Sequence, residues 1–214
     1  MYPWAFARRT VARIIGTIPT HRLGLLRKGQ WRNHMATFGM ALDRSGSMRG
    51  EPEQASRQVW GMLADELQQV SGVTIEAVTF ALGSAQIGIS GSTMPAFPDA
   101  PAVAMPSRLS PALGLLHARL ADRDGGTLAG NRPTVIVITD GRIGDTRLVA
   151  EVMSEGVARW QVRYVAMYAG HRWRQLPGNL WWLHLVIDGL DRAKMSSVIS
   201  QVVFNSPTNP VGIH

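Results

Sequence analysis

Apolar residues in this chain come in two rhythms. Residues 35–42 are nearly unbroken apolar, and residues 133–139 carry Val135-Ile136-Val137-Ile138 at their centre. Continuous apolar runs of this length, bounded by turn residues, mark strands buried on both faces of a parallel sheet. Residues 73–82, 162–168 and 181–187 read as further strands. Residues 85–90 follow a Gly83-Ser84 turn and read as an antiparallel partner of the strand before them.

The second rhythm is helical. Ala55, Val59, Met62, Leu63, Leu67 and Val70 recur at helix spacing and predict a helix over 51–70. Pro52 suits its first turn, where a missing N–H costs nothing. Leu109, Leu113, Leu116 and Leu120 predict a shorter helix over 109–121, and a third helix is read over 146–158. Met195, Val198, Ile199, Val202 and Val203 mark a terminal helix. Residues 91–106 carry Pro95, Pro98, Pro101 and Pro106, residues 122–132 are Gly-rich, and both read as loops.

Strands alternating with helices predict an α/β fold: a three-layer α-β-α sandwich with a mainly parallel central sheet and one antiparallel edge strand. In such sheets, sites form beyond the carboxyl ends of strands, where the strand order reverses. Two carboxylates lie there. Asp43 ends the first apolar strand, and Asp140 ends the most hydrophobic one.

The residues after Asp43 give that position its chemistry. In Asp43-Arg44-Ser45-Gly46-Ser47-Met48, a carboxylate and two hydroxyls alternate on a short turn. Side chains at such spacing can converge, and all three are hard oxygen donors suited to Mg²⁺ or a similar cation. Capping and turn chemistry is the competing reading, since Ser and Asp favour both. Asp140 alone could be a turn residue. Glu51 reads as a helix N-terminal charge, and Asp145 as a surface or outer residue of the site. Arg44 and Arg49 flank the turn, either drawing an acidic partner or simply solvated. His171, Arg172, Trp173 and Arg174 read as a loop with its aromatic tucked into the core, or as a polyanion patch. Trp181 and Trp182 should face opposite sides of a strand. The histidines show no metal-ligand spacing.

Charge changes the picture at one end only. The formal net charge is +7. Residues 1–34 hold seven arginine and lysine residues and no acid, while the other 15 basic and 15 acidic residues cancel. The basicity belongs to an N-terminal arm, residues 1–34, ahead of a domain over 35–205 and a tail over 206–214. The arm reads as a solvated extension, an upstream segment ahead of a true start at Met35, or a functional targeting or polyanion-binding arm. The chain has no cysteine, which removes disulfides and thiolate metal sites and fits a cytoplasmic setting. No run of about 18 apolar residues occurs, so no membrane span is expected.

These motifs resemble a von Willebrand factor A domain with a metal-ion-dependent adhesion site. Asp43-x-Ser45-x-Ser47 is similar to that family's first motif, and Thr139-Asp140-Gly141 to its last. Ser45 to Pro52, Arg132-Pro133 and Asp145 resemble the TerY-like bacterial branch linked to tellurium resistance and stress response. The likeness covers about residues 35 to 204. The family's middle motif, a threonine ahead of a Leu-x-x-Ala-Leu helix, aligns with Ser107 ahead of Leu109 to Leu113. Gly125-Gly126-Thr127 is the alternative, placed instead before the strand to Asp140.

The resemblance implies a divalent cation, Mg²⁺ (or Mn²⁺ or Ca²⁺), held by Asp43, Ser45, Ser47, Ser107 and Asp140. It also implies a non-enzymatic module that binds another protein through an acidic side chain offered to the metal. Nucleic acid is expected only through the basic arm. A metal-dependent phosphohydrolase is the alternative. Phosphatases resembling the haloacid dehalogenase group need a second Asp two residues after the first, where this chain has Ser45.

Overall fold

The computed structural model describes residues 36–68, 72–81, 85–87, 94–98, 107–123 and 132–187. The N-terminal arm, Thr127, the terminal helix and the C-terminal tail lie outside the described residues. No helix among the described residues is long and apolar enough to cross a membrane.

The elements follow the order read from the pattern. They are β1 (Ala36–Asp43), a single 3₁₀ turn (Gly46–Met48), α1 (Glu51–Leu67), β2 (Val73–Phe80) and β3 (Ala85–Ile87). Then come α2 (Ser110–Arg123), β4 (Thr134–Thr139), α3 (Thr146–Trp160), β5 (Arg163–Tyr168) and β6 (Trp181–Val186). The strands form one sheet in the order β3-β2-β1-β4-β5-β6. All neighbouring pairs are parallel except β2 with β3, which run antiparallel. The chain leaves β1 in one direction to build β2 and β3, then returns to β1's other side with β4. The strand order therefore reverses between β1 and β4, and Asp43 and Asp140 stand at that reversal.

The pleat divides the core. Ala41, Val78, Val137 and Ala166 share one face and pack under α2 and α3 with Leu109, Leu113, Leu116, Val149 and Met153. The alternate residues, Met40, Leu42, Ala77, Ile136, Ile138, Val165 and Met167, are buried on the other face. The buried stripe of α1 is Ser56, Val59, Trp60, Leu63 and Leu67, none of it in the cluster under α2 and α3. The stripe is rotated from the predicted one. Met62 lies at its margin, and Trp60 replaces it because the indole N–H reaches the Pro95 carbonyl at 2.8 Å. Val135 to Ile138 are each 1 % exposed or less. Such side chains contribute about 1.5–3 kcal/mol each on burial, so β4 is firmly held up to Ile138, two residues before Asp140.

Candidate metal centre at the carboxyl edge of the sheet

Burial is the first fact about this edge. Asp43, Ser45, Ser107, Thr139 and Asp140 are all buried, and Ser47 is half-buried. Polar groups cost free energy there unless they are paired. The Asp43 carboxylate accepts from the Thr139 hydroxyl at 2.7 Å and from the Ser45 amide at 2.9 Å. The first bond joins the ends of β1 and β4. Its donor is the threonine of Thr139-Asp140-Gly141, a residue to which sequence reasoning gave no task of its own. The Thr139 oxygen in turn accepts from the Gly141 amide at 2.9 Å.

Burial still dominates. It pushes the Asp43 carboxyl up from its ordinary 3.8 to about 6, against the lowering effect of the Thr139 and Ser45 hydrogen bonds. The charge of Asp140 pushes the same way, so the two carboxylates feel one another across the edge.

The hydroxyls of the turn are not spent on capping. Ser45 precedes the 3₁₀ turn and α1 is preceded by Gly50, yet neither end has a side-chain cap. The Ser45 and Ser47 hydroxyls lie 3.0 Å apart and bond to each other. Turn chemistry does apply to Asp43, through its acceptance from the Ser45 amide. Arg44 departs from both readings made of it. It is buried, its guanidinium pairs with Glu53 at 2.9 Å, and it lies over the Phe97 ring at 5.4 Å. A cation in the wall of the protein held by its own acid is part of the scaffold.

Asp140 is fixed from its own loop. Its Oδ1 accepts from the Arg142 amide at 3.0 Å, and the Arg142 Nε stands 3.4 Å from Oδ2. Gly141 has φ +79°, and a Cβ there would overlap the Arg174 carbonyl oxygen. Only glycine fits a left-handed turn pressed this closely against another backbone. Arg174 also donates its amide to the Asp140 carbonyl at 2.7 Å. Trp173 stacks on Tyr168 with ring centroids 4.8 Å apart, as expected of a loop with its aromatic tucked in.

Ser107 reaches the edge from a third direction. It forms a parallel bridge with Ile143, and the Gly144 amide donates to its carbonyl at 2.9 Å. Its hydroxyl donates to the Arg142 carbonyl at 3.0 Å. The proton is thereby directed away, and the oxygen lone pairs stay available. Asp145 holds this arrangement. Its carboxylate accepts from the Leu109 and Ser110 amides, each at 3.0 Å, and from the Ser110 hydroxyl at 2.5 Å. An acid from the β4–α3 loop thus caps the N-terminus of α2. The sequence contained the residue but not the 35-residue separation over which it acts.

The fold thus gathers Asp43, Ser45 and Ser47 in one hydrogen-bonded turn, with Asp140 on the adjacent strand end. Ser107 is tied to the loop that follows Asp140. The donor set is carboxylate and hydroxyl oxygen, with no sulfur or imidazole, which suits a hard cation. Among the described residues, no group of three His, Asp or Glu side chains makes an alternative metal site.

No protein-family model and no curated protein matches the chain. Its fold does match solved structures. Proximal thread matrix protein 1 from the mussel byssus aligns with TM-score 0.56 and 13% identity, over 80% of this chain and 48% of that one. The chain thus spans about half of that protein's length. The manganese-loaded TRAP protein of Plasmodium vivax aligns with TM-score 0.55 and 15% identity, over 79% and 73% of the two chains. An aerotolerance-related membrane protein from Bacteroides fragilis aligns with TM-score 0.50 and 14% identity, over 78% and 98%. At these identities the likeness is one of fold, and it is the von Willebrand factor A type of doubly wound α/β fold that the motifs implied.

Proposed function

We propose that this chain is a divalent-cation-dependent protein-binding module without enzymatic activity. The cation is Mg²⁺ (or Mn²⁺ or Ca²⁺), and Asp43, Ser45, Ser47, Ser107 and Asp140 hold it, directly or through water. The observation that carries the reading is Asp43 itself. A carboxylate 1 % exposed, beside a second buried carboxylate, is an uncomfortable charge. A protein built only for stability would place an apolar or amide group there. The Ser45 and Ser47 hydroxyls bond to each other and the Ser107 hydroxyl donates to the Arg142 carbonyl, which leaves oxygen lone pairs for a ligand.

A bound cation supplies a positive centre that an acidic side chain of a partner protein can join as a further ligand. The residues of this chain set its position. Thr139 and the Ser45 amide orient Asp43, and the Arg142 amide orients Asp140. That a similarly folded protein is described as manganese-loaded supports a divalent ion at this kind of site. The TerY-like motif match supports a place in a bacterial stress-response system linked to tellurium resistance, in the cytoplasm.

Affinity capture from a bacterial lysate with the immobilised chain, with and without EDTA, tests the reading. A partner retained with Mg²⁺ and released by EDTA, with no phosphatase turnover under Mg²⁺ or Mn²⁺, is the expected result. Phosphatase turnover that disappears in Asp43→Asn would replace the binding module with a phosphohydrolase.

A further inference from the structure

The loops around this edge are tied into one rim. The Ser107–Ile143 bridge lays the segment before α2 beside the loop after β4. The Arg174 amide bonds to the Asp140 carbonyl at 2.7 Å, which brings in the loop after β5. Glu51, at the start of α1, has its carboxylate 2.8 Å from His171 Nε2 in that same loop. Each of the four segments carries exposed arginine: Arg49, Arg108, Arg142, and the pair Arg172 and Arg174.

The rim's acids are occupied with its architecture. Asp145 caps α2, Glu51 meets His171, and Glu53 pairs with Arg44. Residues 35–214 as a whole carry equal numbers of basic and acidic residues. The exposed guanidinium groups stand on segments joined at one edge of the sheet, whereas a long polyanion is followed along an extended basic track. Leu148, in the first turn of α3, is 52% exposed. Guanidinium groups pair carboxylates in a planar fork, which suits a short run of acidic side chains.

We propose that this arginine rim is a docking surface for an acidic polypeptide segment. One carboxylate of the segment meets the cation centre, and its neighbours are received by Arg108, Arg172 and Arg174. The inference rests on the metal-centre reading for that one carboxylate; the arginines act independently of it.

Fluorescence anisotropy with the full chain and a labelled glutamate-rich peptide tests the rim, with Mg²⁺ binding of each variant followed by calorimetry and its folding by thermal melt. Arg108→Glu and Arg174→Glu are each expected to weaken the peptide by about tenfold while Mg²⁺ binding and melting temperature hold. Arg159→Glu makes the same charge change at the far end of α3, where Arg159 is 66% exposed, and is expected to stay within about twofold. Equal losses in all three variants would reduce the effect to net charge and overturn the rim. Tighter binding of an RNA or a phosphoserine peptide of matched charge would overturn it in favour of a phosphate ligand. A chain that binds no Mg²⁺ but shows the arginine pattern would retain the rim and refute the metal centre. Normal Mg²⁺ binding without the arginine pattern would do the reverse.

Discussion

Two regions of this protein bury polar side chains, and they do it in opposite ways. Under α2 and α3, the Tyr164 hydroxyl meets His117 Nε2 at 2.7 Å. Trp160 and Trp181 stand at the edges of these rings. Burial lowers His117 to about 4 and raises Tyr164, so both are neutral at physiological pH. The pair is closed and complete. At the carboxyl edge, Asp43 and Asp140 share a buried site, and burial raises Asp43 to about 6 without neutralising it at pH 7. One region has solved its polar problem internally. The other keeps a charge that its own hydrogen bonds do not fully offset.

The comparison breaks most visibly at the space each region leaves. A Cβ on Gly156 would fall against the Tyr164 hydroxyl and the His117 ring. Gly156→Ala should therefore cost about 3 kcal/mol or more, since the obstacle is a hydrogen-bonded pair rather than a free chain end. Urea unfolding measures it, and metal response should persist wherever the variant remains folded. A loss under about 1 kcal/mol would mean the pair is not tightly packed.

Asp43→Asn should move stability the other way. A raised acid is stabilising while protonated and loses that contribution as pH rises, here between 3.8 and about 6. Above pH 6 the buried charge costs on the order of 3 kcal/mol at most. The amide removes it and can still accept the Ser45 amide. We expect Asp43→Asn to be more stable than wild type at pH 7 without metal, by about 1–3 kcal/mol, and to lose any gain from Mg²⁺. Tyr164→Phe should instead cost about 1–3 kcal/mol, because it strands the His117 nitrogen in the core. Stabilisation by both variants, or loss in both, would erase the distinction between the regions.

The pH response sharpens it. His117 has a folded pKa below its ordinary 6.5, so it contributes stability above 6.5 that is lost as pH falls toward about 4. Asp43 acts oppositely over nearly the same interval. Metal-free wild type should therefore vary little from these two groups between pH 6.5 and 4. Asp43→Asn should expose the His117 loss as a steeper fall on acidification. Parallel stability curves for the two proteins would contradict the assigned directions.

The smallest effect belongs to the surface. Glu51 and His171 are 55% and 76% exposed, so Glu51→Gln should change stability by less than about 0.5 kcal/mol.

What the sequence revealed follows from the range of the interactions. The strands of residues 133–139 and 35–42 were legible because parallel, doubly covered strands need continuous apolar runs. Asp43 and Asp140 were legible as strand-end carboxylates, and the Ser45–Ser47 turn as local spacing. Trp60 was missed from the helix stripe because its place depends on a carbonyl 35 residues away. Asp145 as the cap of α2, Thr139 as the clasp of Asp43, and Arg44 as a buried scaffold residue each depend on partners brought near only by folding. Local pattern finds the donors; the tertiary contacts decide which of them are already engaged.

The central claim is that the carboxyl edge is built around a divalent cation. Ligand that binds only the folded site raises the melting temperature with concentration. Melting curves over increasing Mg²⁺, for wild type beside Asp140→Ala, Ser107→Ala and Thr127→Ala, test this most directly. The account predicts a rise in wild type and Thr127→Ala, a weaker one in Ser107→Ala, and almost none in Asp140→Ala, which should keep its metal-free fold. A wild-type curve unmoved by Mg²⁺, Mn²⁺ and Ca²⁺ at millimolar concentration would contradict it.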